Sequence, residues 1–266
     1  MKKKKCNTFT GWIGLVLGIA LCISFTAGPA MSAEGIDPDA DSILKSMSSY
    51  LGGIKAFNVN ADIDIEFVTK SGQKLQLSSF VTIVLKRPAK FHIQRKGMIV
   101  DAEFIFDGRI LTLHGKKRNV YAQIDVPGTI DDAIRAYEME AGIPAPGADL
   151  LFADPYASLS SGVESSAYLG IAYVNGAECH HLAFREDKVD WQLWVRSGDS
   201  PLPIKFVITS KWQTAAPQYE IRFWDWGINP QINDKRFTFS APEGAKRRET
   251  IPADEMDEFT SKEEGK

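Results

Sequence analysis

Cysteine is scarce in this chain, with three in 266 residues, at Cys6, Cys22 and Cys179. The first two fall in the N-terminal segment, so a chain processed there keeps Cys179 alone and forms no intramolecular disulfide. A chain of this length builds a core without such staples. Motifs for chemistry are also missing. There is no G-x-S-x-G elbow to present a nucleophilic serine, and no G-x-G-x-x-G or phosphate-binding loop to hold a nucleotide. No internal repeat and no long Pro/Gly/Ser linker divides the sequence. Cationic surplus is lacking as well. Lys and Arg total 31 against 34 Asp and Glu, and loss of residues 1–33, with four lysines and no acid, takes the formal charge from −3 to −7. That balance argues against nucleic-acid binding, which needs a basic surface.

The chain opens with an export signal. Lys2 to Lys5 form a basic start, Gly11 to Ala27 an apolar run, and Gly28-Pro29 a break before the small residues Ala30, Ser32 and Ala33. Cleavage is expected after Ser32 or Ala33, leaving about 233 residues in the periplasm. The rival is an uncleaved anchor, for which the apolar run is slightly short. Lipidation at Cys22 is disfavoured, because Leu21 precedes it inside the apolar core.

Beyond the signal, periodicity sets the elements. Ile43, Leu44, Met47, Tyr50 and Leu51 fall at helical spacing between Asp37-Pro38 and Gly52-Gly53. A run of alternating strands follows from Val59 to Val126, with turns at Ser71-Gly72, Arg87-Pro88 and Asp107-Gly108. Short connections imply an antiparallel sheet of mostly adjacent neighbours. Thr129 with Asp132 predicts a capped helix carrying Ile130, Ala133, Ile134, Tyr137 and Ala141 and ending at Gly142. Ile143 to Val163, with three prolines and scattered large apolar groups, reads as short helical turns. Strands resume at Ser166 and run through GIAYVNGAECHHLAFRE, VDWQLWVRSGD, SPLPIKFVITSKW and PQYEIRFWDWGI to a last strand, KRFTFSAP. Several carry large apolar groups on both faces: Trp191, Leu193 and Val195 point one way and Trp194 the other, while Trp224 and Trp226 share a face opposite Phe223. Such a sheet must be covered on one side and cover something on the other. Lys246 to Lys266 is charged, poor in core residues, and reads as a solvated tail.

The segments GIAYVNGAECHHLAFR, DWQLW, PLPIKFVIT, PQYEIRFWDW and FTFSAPEGA resemble the C-terminal part of LolA-like proteins. The insert TIDDAIRAYEMEAGIPAPGADLLFADPY extends the resemblance to a domain-of-unknown-function family of predicted periplasmic proteins, over roughly Asp37 to Ala245. The resemblance implies a strongly curved antiparallel half-barrel closed by helices over an apolar cavity. LolA carries the acyl chains of lipoproteins across the periplasm, and other relatives of the fold bind lipids or sense lipoproteins. None of LolA's functional residues is carried onto this chain.

Each candidate for chemistry has an ordinary reading. Cys179-His180-His181 puts Cys179 and His181 on one strand face and His180 on the other, too few ligands for a stable metal site and no dyad. His92 and His114 stand apart in sequence with no carboxylate cluster placed beside them. Asp62, Asp64 and Glu66 read as the solvated face of an early strand rather than a calcium site. Lys116-Lys117-Arg118 and Lys246-Arg247-Arg248 fit a solvated turn and tail, or contact with anionic headgroups.

The expectation is therefore an exported α+β domain over residues 34–245, a curved antiparallel half-barrel covered by the N-terminal helix and a lid at Thr129–Val163. It is expected to be a non-enzymatic carrier without cofactor or metal. Its ligand, a lipid or the acyl chains of a lipoprotein, would be lined by Ile134, Tyr137, Leu150, Leu151 and Phe152 from the lid and Trp191, Leu193, Trp224 and Trp226 from the sheet. The alternative is an envelope protein-interaction module with a filled cavity. Transient contact with a membrane surface is compatible with both.

Overall fold

Two meanders of β-strand meet edge to edge in the computed structural model, which describes residues 35–142 and 145–250. The expected signal segment, 1–33, lies outside these residues. After helix α1 (Pro38–Gly53) the first meander is β1 (Ala56–Val68), β2 (Lys74–Lys86), β3 (Lys90–Gly97), β4 (Asp101–Phe106), β5 (Ile110–Gly115) and β6 (Val120–Asp125). Helix α2 (Ile130–Ala141), a 3-10 turn (Ala148–Leu151) and helix α3 (Pro155–Leu159) form the insert. The second meander is β7 (Ser165–Val174), β8 (Ala177–Arg185), β9 (Val189–Arg196), β10 (Pro203–Ser210) and β11 (Gln218–Ile228). A second 3-10 turn (Asp234–Phe237) and the two-residue β12 (Lys246–Arg247) end the described chain. The spatial order is β12-β6-β5-β4-β3-β2-β1-β11-β10-β9-β8-β7, one open, curved sheet of 12 strands, antiparallel except where β12 joins β6. No described helix is long and apolar enough to cross a membrane.

The helices start where the sequence places their caps. Asp37 accepts hydrogen bonds from the N–H groups of Asp39 and Ala40 at 2.8 and 3.1 Å, and its second oxygen accepts from Tyr168 N–H at 3.0 Å. One carboxylate thus caps α1 and pins it to β7, and these bonds, led by that from Tyr168, hold its pKa below the ordinary value. Thr129 and Asp132 form the reciprocal capping box of α2, which ends with Gly142 in the left-handed region.

Cross-strand register sorts side chains into two faces. On the concave face Phe57, Val59, Ala61 and Ile63 continue into Leu85, Ile83 and Val81, Phe91, Phe106 and Leu111 on one side. On the other they continue into Ile221 and Phe223, Phe206, and Leu193 and Trp191. With Leu44, Met47 and Leu51 of α1 and Ile130, Ala133 and Ile134 of α2 they make one core.

The last segment departs from expectation. KRFTFSAP is not a strand. It makes the 3-10 turn and then an extended strap without a ladder, crossing the outer face of the first meander. Phe237 is 1% exposed yet stands outside the main core. Asp234 bridges Lys86 and Lys90 of β2 and β3 at 2.7 and 2.8 Å, and Phe239 packs on His114 and Tyr121. The tail expected from Lys246 is tied down at its start: Lys246 and Arg247 pair with Val120 and Tyr121, and Arg248 N–H donates to Tyr121 C=O. Residues 251–266 lie outside the described chain.

Candidate functional site

The lid residues sit on the sheet as a plug. Ile134, Leu150, Leu151 and Phe152 are all less than a tenth exposed and belong to the core, as do Trp191 and Leu193 beneath α1. Tyr137 packs edge-on against Phe104 at 5.5 Å. Trp191 stacks on Phe184 at 3.9 Å and donates its indole N–H to Glu186 at 2.7 Å. Burial raises the Glu186 pKa.

The two late tryptophans do not share a face. Register shifts where Asn58 pairs with Gly227 but Asn60 with Trp224, one extra residue on β11, and Asp225 takes a positive φ of 56°. This bulge turns Trp226 inward, onto Phe57 and Phe223 at 5.3 and 5.7 Å. Trp224 stays on the outer face against Phe80, 40% exposed. Eight of the nine expected residues thus belong to the core or pack against it, and Trp224 does not.

The cover is held by few polar ties. Arg87, at the end of β2, donates from Nη1 to Leu151 C=O at 2.8 Å, Ile130 N–H donates to Pro88 C=O at 2.9 Å and Tyr156 Oη donates to Asp41 of α1 at 2.7 Å. The bond from Ala153 N–H to Asp131, 3.0 Å, lies within the cover itself. The buried Nε and Nη2 of Arg87 meet no acceptor among the described residues, and burial lowers its pKa. Two clefts flank the cover. One of about 340 Å³ lies between α1, α3 and β8, lined by Ile36, Asp41, Leu44, Tyr156, Ser160, Val163 and Phe184. Another of about 410 Å³ runs along α2 and α3 and is mainly polar, with Phe152 its one expected residue. Beyond the cover the concave face continues: Ile65, Phe67 and Leu77 are half-buried and Leu75 is exposed.

Elsewhere the chemistry-bearing residues are engaged in structure. Cys179 is fully buried, and desolvation raises its thiol pKa, the opposite of an activated nucleophile. His180 faces the core and meets Tyr168 Oη at 3.0 Å. His181, on the outer face, bonds Gln192 and stacks on Trp194 at 4.0 Å. No group of His, Cys, Asp and Glu among the described residues is arranged to hold a metal.

Two sequence readings are corrected by register. His92 and His114 are not isolated. They flank Glu103 at 3.1 and 3.5 Å, with Lys116 on the same carboxylate at 3.0 Å and Gln94 also donating to it. His92 leads these partners in holding the Glu103 carboxyl far below its usual range. Asp64 is not solvated: it is 7% exposed, accepts from Ser78 and pairs with Arg222 at 2.6 Å.

The sequence matches the profile of the family described as predicted periplasmic protein (DUF2092) over residues 40–249. No curated protein matches it. Among solved structures, it is similar to an uncharacterized conserved protein from Thermus thermophilus (TM-score 0.46, 11% identity, 79% of this chain and 99% of that one). It is also similar to a chain of the Pseudomonas aeruginosa MucA/MucB complex (0.45, 12%, 76% and 62%). A third is a LolA superfamily protein from Nitrosomonas europaea (0.38, 11%, 75% and 97%).

Proposed function

We propose that this chain, which belongs to that family of predicted periplasmic proteins, is a non-catalytic envelope protein that holds an acyl lipid or the acyl chains of a lipoprotein between its concave face and its cover. The state of Arg87 carries the reading. A buried guanidinium with unmet donors opposes the closed arrangement, while burial of Leu150, Leu151 and Phe152 favours it. A cover so balanced, whose part between α2 and β7 is built from short turns and tied to the sheet and α1 by single hydrogen bonds at Leu151 and Tyr156, lifts there at small cost. An entering acyl chain replaces the lid's apolar contacts, each methylene contributing about 0.8 kcal/mol. The open continuation at Ile65, Phe67, Leu75 and Leu77 supplies the entry. The lining is then Ile134, Tyr137, Leu150, Leu151, Phe152, Trp191, Leu193 and Trp226.

Native mass spectrometry of the protein released from the envelope, followed by organic extraction, tests this. A stoichiometric acyl lipid or acylated peptide is expected. A clean unliganded mass, with no uptake of offered phospholipid or acylated peptide, overturns it.

A second reading has its own observation. β7 is an edge strand whose Leu169, Ile171 and Tyr173 are 48%, 50% and 69% exposed. Gly35 and Asp37 occupy the N–H groups of Ser166 and Tyr168, and the apolar stretch of the edge beyond them suits addition of a partner strand, so the unliganded outcome would favour a protein-interaction role there.

A further inference from the structure

The antiparallel order sends alternate turns to opposite ends of the sheet. The β1–β2, β3–β4, β5–β6, β8–β9 and β10–β11 turns share one end. That end differs from the other in shape, charge and polarity. The β1–β2 hairpin runs on past its neighbours: β3 pairs no further than Ser79 and β11 no further than Ile65. Its tip therefore projects by about 17 Å beyond β3 and about 10 Å beyond β11 at strand rise per residue. Leu75 and Leu77 lie on one side of this prong and Lys70 is in its turn.

Charge follows the same division. Lys70, Arg118 and Lys188 are exposed in these turns and form no ion pair among the described residues. Lys117, also exposed, donates to the Met98 carbonyl and forms no ion pair among the described residues. Asp187, beside Lys188, is the exposed acid in these five turns. At the opposite end Lys55 is exposed without an ion pair among the described residues, but Arg87 is occupied beneath the cover, Arg109 is paired with Asp125, and Asp107, Asp132 and Asp199 are exposed. The protein is acidic overall, so this segregation is local and not a reflection of net charge. Large apolar side chains stand among the free cations: Met98 is 73% and Trp212 66% exposed. Trp212 sits in a turn whose Ala215 and Ala216 both adopt positive φ, 64° and 43°, a conformation costly for residues with a Cβ.

We propose that this end is a docking surface for an anionic bilayer, with Lys70, Lys117, Arg118 and Lys188 against the headgroups and Trp212, Met98 and the prong's Leu75 at the interface. Unpaired lysine and arginine supply attraction to anionic lipid, and tryptophan favours the headgroup level. The surface adjoins the proposed acyl entry at Leu75 but does not depend on it: docking requires no ligand under the cover, and an occupied cover does not require docking.

Co-sedimentation tests it, using protein released from the envelope with vesicles of phosphatidylcholine alone or mixed with phosphatidylglycerol. Binding is expected to the mixed vesicles only, and to weaken as salt rises. Reversing the four cations (Lys70→Glu, Lys117→Glu, Arg118→Glu, Lys188→Glu) is expected to weaken it about tenfold or more. Trp212→Ala is expected to weaken it severalfold and Lys55→Glu, at the opposite end, to leave it unchanged. All variants are first checked for wild-type circular dichroism and melting. Absence of binding to the mixed vesicles overturns the proposal. So does equal loss with Lys55→Glu, which would mean a general charge effect, or binding indifferent to the four reversals. A quadruple variant that fails to fold is replaced by the single reversals, each expected to weaken binding, and their joint silence overturns it equally.

Discussion

The first meander is coated on both faces, whereas the second is coated on one. Beneath β2–β6 lie the core and α2, and over their outer face runs the strap from Asn229 to Arg248. That second coat buries Val84, Ile105 and Phe237 together with His92, Thr112 and His114; the two histidines share Glu103 and Thr112 accepts from Gln123, while His92 Nδ1 meets no partner among the described residues. The outer face of β8–β11 has no such layer. Of its aromatics, Trp224 rests on Phe80, and Trp194 is sheltered by neighbours on its own sheet, stacked on His181 and capped by Lys205 at 5.0 Å. A coated face concentrates stability in a few buried groups; an uncoated one spreads it over small surface pairs.

Breaking the coat gives the largest expected effect. Phe237→Ala should cost about 3 kcal/mol in urea unfolding, because it removes a buried ring from between strap and sheet. Glu103→Gln comes next, at about 2 kcal/mol, since it withdraws the charge shared by His92, His114 and Lys116. It also sharpens the comparison through pH. The Glu103 pKa is depressed on folding, so its contribution is complete above the unfolded value near ~4.3 and is lost as pH falls below that. The Glu103→Gln protein should show a flatter decline in stability on that limb. In the second meander burial lowers the His181 pKa, so its loss begins earlier, as pH falls below about 6.5, and His181→Gln should flatten that upper limb instead. Asp37→Ala, which unpins α1 from β7, should cost about 1 kcal/mol. Trp194→Ala is expected to be smallest, about 0.5–1 kcal/mol, as befits an uncoated face. A Trp194 loss equal to that at Phe237 would erase the distinction between the meanders.

The same contrast explains what the sequence could convey. Alternation, turn dipeptides and the Thr129–Asp132 spacing are local, and they placed α1, α2 and the hairpins as the structure has them. FTFS alternates like a strand, but alternation reports which side chains face a surface and not whether the backbone finds a ladder; here the surface was the outside of another meander. The apolar groups on both faces from Gly170 onward suggested a second cover for that region, yet the second cover lies over the first meander. The Glu103 cluster depended on β3, β4 and β5 aligning Gln94, Glu103 and His114 across the sheet. No spacing in one dimension shows that. At the candidate site the buried lid residues were legible from their apolar pattern. The opposed directions of Trp224 and Trp226 were not, because a single left-handed Asp225 breaks the period on which the reading relied.

The place where the meanders join has a consequence for how the protein comes into being. β1 is made early, but its partner on one side, β11, is separated from it by most of the chain, and the strap follows later still. A polypeptide delivered N-terminus first therefore cannot complete its central ladder until nearly all of it has arrived. Contacts so distant in sequence form slowly. The first meander can pair within itself beforehand, but the ladder that joins it to the second, and the strap that coats it, wait for the chain's later part.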